Sequence, residues 1–253
     1  MKKNKKLKIN LRQAIGIGLS SIFLLLLFLS LKWANYQKIF VLNEPIISGY
    51  NILNKKDYKS IIDQLEYETI NKAYIVEIRK ALEKNPFVKA ARVSKHFPNK
   101  LNIQIVERQP LGIINIENQL MIDEEAVVLP GKNYSEDYLI PVLSGFNSAK
   151  ELYPEGEKTF SIKVKEAVSI LRELSTKYKN LYENISELTL NKDDEYVIIL
   201  ADRPTRVILG KDNISQKFNI LKSFDKALGQ RQLTDFRLID MRYSKQLVAR
   251  EWT

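Results

Sequence analysis

The sequence predicts an α+β protein held to a membrane by a single helix, and three observations carry that expectation. Residues 14–31, AIGIGLSSIFLLLLFLSL, contain no charged side chain. From Phe40 to Glu107, apolar residues recur at helical spacing in some stretches and at period two in others. Beyond Pro110, short strand patterns broken by turn residues dominate, with two helical stretches among them. The expected organisation is a cytoplasmic basic tail at 1–13, a transmembrane helix at 14–36, a β-α-α-β-β domain at 38–109 and a mixed β-domain with two helices at 110–253.

The membrane helix rests on composition. Twelve of the eighteen residues in 14–31 are Leu, Ile or Phe, each favouring insertion by about 0.3–0.6 kcal/mol. Lys32, Trp33 and Tyr36 extend the segment into the headgroup layer. Lys2, Lys3, Lys5, Lys6, Lys8 and Arg12 precede it without an acidic residue, whereas Lys32 and Lys38 follow it with Glu44 opposing them. This bias places the N-terminus in the cytoplasm and the remainder outside. A cleaved signal peptide would share the basic start, but Leu31-Lys32-Trp33-Ala34-Asn35 is a poor cleavage site.

Charge and cysteine content narrow the function classes. The net charge is +10, yet six of the 40 basic residues belong to the unopposed tail, leaving 34 basic against 30 acidic residues elsewhere. The strong charge therefore belongs to a topogenic tail, with an interaction arm for anionic lipid or a cytoplasmic partner as the alternative reading, and nucleic acid is not an expected partner. With no cysteine there is no disulfide framework, thiolate nucleophile or cysteine zinc site. The 45% hydrophobic content is that of folded protein.

In chain order, extended residues around Ile39–Ile47 lead to a helix at about 55–65, with Asn54 as N-cap and Tyr58, Ile61, Ile62 and Leu65 on one face. A second helix, Ala73 to Lys84, places Ile75, Ile78 and Leu82 together and stops at Asn85-Pro86. Strands at 87–93 and 101–106 flank the turn Phe97-Pro98-Asn99-Lys100. In the second strand Leu101, Ile103 and Ile105 alternate with Asn102 and Gln104, so one face is buried. Strands follow at 111–116, 120–122 and 126–129, then a loop-rich interval at 131–156 around the apolar Ile140–Leu143. A helix at 162–178 precedes a meander at 185–190, 196–200 and 206–209. Asn213 and Gln216 read as a capping pair for a helix with Ile214, Phe218, Leu221 and Leu228 on its stripe, closed by Gly229. Strands at 236–243 and 247–252 end the chain.

No catalytic, cofactor or metal constellation emerges. His96 is the only histidine and lies beside a hairpin turn with no paired-histidine or Ser-His-Asp pattern around it. Asp123-Glu124-Glu125 and Asp193-Asp194-Glu195 read as solvated hairpin turns rather than a glycosidase acid and base. Gly16 and Gly18 fall inside the membrane helix, so no phosphate-cradling loop is expected.

The stretch 82–110, LEKNPFVKAARVSKHFPNKLNIQIVERQP, resembles the end of the POTRA domain of the FtsQ/DivIB family of cell-division proteins. The matching features are Pro86-Phe87-Val88, Ala91 and Val93, Phe97-Pro98-Asn99 with Leu101, and Ile105-Val106-Glu107-Arg108 with Pro110. Met121-Ile122-Asp123 before Val127-Val128-Leu129, Ile140-Pro141-Val142-Leu143-Ser144-Gly145, and Ile239-Asp240-Met241-Arg242-Tyr243 extend the resemblance. Met241 stands where the family pattern has Leu, and Ser244-Lys245-Gln246 lacks a glycine often found there.

The resemblance implies a non-enzymatic, single-pass scaffold of the septal machinery, with no cofactor, in the plasma membrane. It further implies that bitopic coiled-coil partners of the FtsB/FtsL type add a strand to the terminal edge of the β-domain, while the POTRA domain meets other divisome membrane proteins. Carried over by motif, the partner-binding residues are Asp240, Arg242 and Tyr243, with Leu247 and Val248 on the following strand. The alternatives are another POTRA-type binding or envelope-assembly protein and a signal-anchored cell-wall enzyme. The first typically carries several POTRA copies, and the second would need residues this chain does not offer.

Overall fold

The structure is a computed structural model and describes residues 11–67, 74–117, 119–131, 139–243 and 246–252. Most of the basic tail, Ala73 at the expected start of a helix, Asn118 in an expected turn, residues 132–138 of the expected loop, and Ser244-Lys245 lie outside the described residues. The chain forms two compact units, residues 1–82 with 91–105 and residues 83–90 with 106–253.

The first unit begins with helix α1, Leu11–Tyr36. Its apolar run is unburied, and the 23 residues Ala14–Tyr36 cover about 34 Å, enough to cross a hydrocarbon layer about 30 Å thick. The helix ends in a Schellman cap. Ile39 N–H donates to the Ala34 carbonyl (3.2 Å) and Lys38 N–H to that of Asn35 (3.0 Å), with Lys38 in the left-handed region at φ 53°.

Strand β1 (Ile46–Ser48), helices α2 (Lys55–Asp63) and α3 (Ile75–Glu83), and strands β2 (Val88–His96) and β3 (Lys100–Glu107) follow in the expected β-α-α-β-β order. The sheet order is β1-β3-β2, with β1 parallel to β3 and Ile46 opposite Asn102. Asn54 precedes α2 and its N–H donates to the Asp57 carboxylate (2.9 Å). Tyr58, Ile62, Ile78 and Leu82 from the helices, and Ile47, Ala91, Val93, Leu101, Ile103 and Ile105 from the strands, are all buried. Ile75, expected on the α3 stripe, is exposed because it occupies the first helical position, beyond the end of the buried face.

The second unit is one nine-stranded mixed sheet with helices packed on it. Its strands are β4 (Pro110–Ile114), β5 (Leu120–Asp123), β6 (Val128–Pro130), β7 (Val142–Ser144), β8 (Ile185–Leu190), β9 (Tyr196–Leu200), β10 (Arg206–Gly210), β11 (Phe236–Asp240) and β12 (Val248–Glu251). They lie in the order β12-β11-β10-β9-β8-β7-β4-β5-β6. The expected meander is β8-β9-β10, antiparallel throughout. Ile140–Leu143 is more than an apolar loop: its end becomes β7, a central strand parallel to both β4 and β8. Gly145 closes β7 at φ +75°, where a Cβ would stand 2.2 Å from the Leu190 carbonyl oxygen.

Among the described residues three α-helices rather than two serve this sheet: α4 (Ile162–Lys177), the short α5 (Lys179–Glu183) and α6 (Ile214–Ala227). Ser161 caps α4 by accepting from Val164 N–H (3.3 Å). The helix buries Val164, Ala167, Val168, Ile170, Leu171 and Leu174, the larger aliphatics worth about 1.5–3 kcal/mol each. Asn213 does precede α6, but it is left-handed at φ 55° and its side chain makes no capping hydrogen bond, so the expected Asn213–Gln216 pair does not form. Gly229 ends that helix at φ 66° as expected.

The Asp123-Glu124-Glu125 turn is also not simply solvated. Asp123 is 2% exposed; one of its oxygens receives Arg108 Nη1 (2.6 Å), and the other receives the N–H groups of Glu125 (2.9 Å) and Val127 (2.8 Å). Glu124 and Glu125 pair with Lys89 at 3.1 Å each. Replacing Asp123 by Ala strands three donors at once. It should cost about 3–5 kcal/mol, read as a lower urea midpoint for the β-domain transition of the full chain in detergent.

Candidate functional site

The two ends of the nine-stranded sheet are finished differently. Along β6, Val128 N–H donates to the Glu157 carbonyl (2.9 Å) and its own carbonyl accepts from Gly156 N–H (2.8 Å). Residues 155–159 thus cover that edge, with bridges Val127 to Lys158 and Val128 to Glu155. The opposite end, β12, pairs with β11 on one side and with no strand on the other among the described residues. A bare edge of this kind presents unpaired N–H and C=O groups to any extended chain.

Strand β11 lies parallel to β10 and antiparallel to β12, with Ile239 between Val207 and Ala249, and Asp240 between Ile208 and Val248. The five residues expected at the site fall here with different exposures. Tyr243 is 51% and Val248 39% exposed, Arg242 is exposed, Leu247 is half-buried against the core, and Asp240 is buried. Met241, where the pattern has Leu, is buried in the core and its N–H donates to the Ile208 carbonyl (2.9 Å), so the exchange leaves the edge untouched.

Asp240 and Arg242 form a fork two residues apart. Arg242 Nε donates to Oδ1 (3.0 Å), its Nη2 to Oδ2 (2.7 Å), and its backbone N–H to Oδ1 (3.1 Å). The Arg242 guanidinium holds the Asp240 carboxyl below its ordinary value, and the carboxylate in turn raises the arginine. Glu195 stands 3.6 Å from Arg242 Nη1.

Below this fork Lys217 is buried and its Nζ donates to the Leu209 carbonyl (2.6 Å). Burial pulls the lysine down, and Asp212, Asp240 and Glu195 oppose that by favouring its charge. Gly210, at φ +77°, leaves the space that Lys217 and Arg242 occupy, since a Cβ there would lie 3.3 Å from Lys217 Nζ. A cavity of about 440 Å³ opens here, lined by Glu195, Lys211, Lys217, Arg242 and Tyr243 among others.

The sequence expectation omitted Trp252, Lys217 and Glu195. Trp252 is 37% exposed, and its indole N–H donates to the Thr234 carbonyl (3.1 Å), fixing an aromatic at the far end of the edge. Arg231 helps to hold that end, pairing with Glu251 (2.8 Å) and lying over the Phe236 ring (4.7 Å). Lys217 was detectable as a lysine on the apolar stripe of its helix, three residues after Ile214 and four before Leu221. His96 sits exposed at the end of β2, 3.4 Å from the Ser94 hydroxyl. Among the described residues no group of three His, Asp or Glu side chains could hold a metal ion.

Comparison with known proteins bears on both units. Residues 42–108 match the POTRA domain, FtsQ-type, and residues 112–242 match the C-terminal domain of cell division protein FtsQ/DivIB. The chain is 27% identical over 177 residues to the cell division protein FtsQ of Geotalea daltonii, covering 69% of this chain and 62% of that protein. With the FtsQ of Koribacter versatilis it shares 24% over 176 residues, covering 68% of this chain and 49% of the other. The FtsQ of Rickettsia felis is 33% identical over 87 residues, 34% of this chain and 33% of that protein. The matched stretch thus spans about half to three-fifths of the length of the first two relatives. With the two matched domains lying in the order the folded chain displays, and the second alone taking in 112–242 of 253 residues, the chain belongs to the FtsQ/DivIB family of cell-division proteins.

Proposed function

We propose that the protein is a non-enzymatic bitopic scaffold of the bacterial divisome. In this reading the tail (1–13) is cytoplasmic, the helix (14–36) crosses the plasma membrane, and the POTRA domain (38–109) and β-domain (110–253) work outside, at the septum. The β-domain recruits small coiled-coil partners of the FtsB/FtsL type and so helps to control septal peptidoglycan synthesis, while the POTRA domain meets other divisome membrane proteins.

The observation that carries this reading is the bare β12 edge, set against a β6 edge that the chain itself covers. A partner strand beside β12 gains main-chain hydrogen bonds, and Tyr243, Val248 and Trp252 offer exposed apolar surface along it. Arg242 supplies a charge whose position Asp240 fixes, so Asp240 acts through Arg242 rather than by touching the partner. Leu247 anchors the start of β12 to the core.

Depletion in the host should give filaments lacking finished septa, with an N-terminal fluorescent fusion at mid-cell beforehand; normal-length cells with a uniform fusion would defeat the division reading. Tyr243→Ala or Val248→Pro should weaken capture of the coiled-coil partners about tenfold while circular dichroism stays unchanged, and undiminished capture would remove the edge from the reading. Because Asp240 is held below its ordinary value, the fork is complete above the usual Asp range and is lost as pH falls through the depressed folded value. Partner affinity should therefore be level from about pH 8 to pH 5 and fall below that, whereas Asp240→Asn should show the weaker binding already at neutral pH.

A further inference from the structure

The passage from α1 into the first sheet is short and fixed at both ends. The Schellman cap finishes at Lys38 and Ile39, and Asn43 N–H already donates to the Asn99 carbonyl (2.9 Å) in the β2–β3 hairpin. Asn43 stands five positions after Lys38, with four residues between them, a reach of at most about 18 Å. Topology fixes which end of the domain is drawn in: β1 runs parallel to β3, so the incoming chain must enter at the end where β3 begins. That end is the hairpin tip, His96-Phe97-Pro98-Asn99-Lys100.

The tip has the chemistry of a bilayer surface. Phe97 is 66% exposed, an aromatic ring at the turn with no core to enter. Lys95 and Lys100 flank it and have no ion-pair partner among the described residues. Lys32 lies over the Phe28 ring (5.7 Å) near the end of α1, and Lys38 forms its cap. Aromatic rings favour the headgroup level, and basic side chains are drawn to anionic headgroups. The headgroup region adds roughly 5–8 Å on each side of the hydrocarbon, within the reach of the tether.

We propose that the β2–β3 hairpin tip is a second membrane contact, with Phe97 seated among the phospholipid headgroups of the bilayer that α1 crosses and Lys95 and Lys100 beside anionic phosphates. The proposal rests on the membrane-anchored reading above. The tip then fixes the tilt of the first domain on the membrane, where a lone helix and a flexible linker would leave it free.

The absence of cysteine makes a direct test simple. The full chain carrying His96→Cys, labelled with an environment-sensitive fluorophore, is placed in nanodiscs containing phosphatidylglycerol and headgroup-region nitroxide lipids. A second protein labelled at Trp33→Cys reports insertion of α1. The expected result is quenching at both positions. Adding Phe97→Ser, or Lys95→Glu with Lys100→Glu, should return the position-96 signal to its nitroxide-free level while position 33 stays quenched and circular dichroism is unchanged. Quenching at 33 but not at 96 would overturn the proposal and leave the anchor standing, as would quenching at 96 that survives both sets of substitutions. Absence of quenching at both positions would overturn the anchor and the proposal together.

Discussion

A single row of aliphatic side chains holds the β-domain together. Leu120, Ile114, Leu143, Leu188, Ile198, Val207 and Ile239 stand directly opposite one another from strand to strand, ending at Ala249 on β12. All but Ala249 are buried, in the core to which α4 and α6 contribute. Because side chains alternate between the two faces, a slip of one residue in any strand would turn its member of the row away from the helices. Register is therefore set from β5 to β12 by one set of contacts. The alternation that places Ile239 and Ala249 inward places Asp240 and Val248 on the other face.

This row explains how an exposed edge can be both open and well formed. β12 contributes little of its own, with only Ala249 and Leu247 packed on the core. Its position is reinforced at the far end by the Arg231–Glu251 pair and the Trp252 indole hydrogen bond, and at the near end by the Asp240–Arg242 fork on its neighbour. Surface pairs such as Arg231–Glu251 contribute at most about 1 kcal/mol each. Their role is to keep a thin strand in line, leaving its outer hydrogen-bonding groups unspent. At the other end of the sheet, residues 155–159 occupy the outward N–H and C=O groups of Val128.

Much of this was legible in the sequence where local periodicity decides the outcome. The apolar helix, the alternation of Leu101, Ile103 and Ile105, and the β8–β10 meander follow from patterns within a few residues. Strand β7 was not legible: three residues between Pro141 and Gly145 carry no period, and what makes them a strand is the pair of neighbours on either side. Asp123 read as a turn residue because its main partner, Arg108, is fifteen positions away. Asn213 has the right identity for a cap but the wrong backbone for one. At the candidate site the family motif located Arg242 and Tyr243, but no local signal distinguishes an edge strand from a central one. Trp252 therefore looked like any strand aromatic, and Lys217 stood out only by its phase on the α6 stripe.

Strand β7 has a consequence for how quickly the domain can assemble. On one side of it, β4, β5 and β6 are sequence neighbours joined by short antiparallel turns; on the other, β8, β9 and β10 are the same. Each block can form from local contacts, which close fast. In the sheet the two blocks are joined by β7, with two of its residues paired in parallel with β4 and three with β8, and the path from β7 to β8 runs through α4 and α5. Loop closure over that distance must be met before the joining contacts reward it. The topology thus makes the union of the two blocks the slow event, and during that interval each block exposes a raw sheet margin to its surroundings.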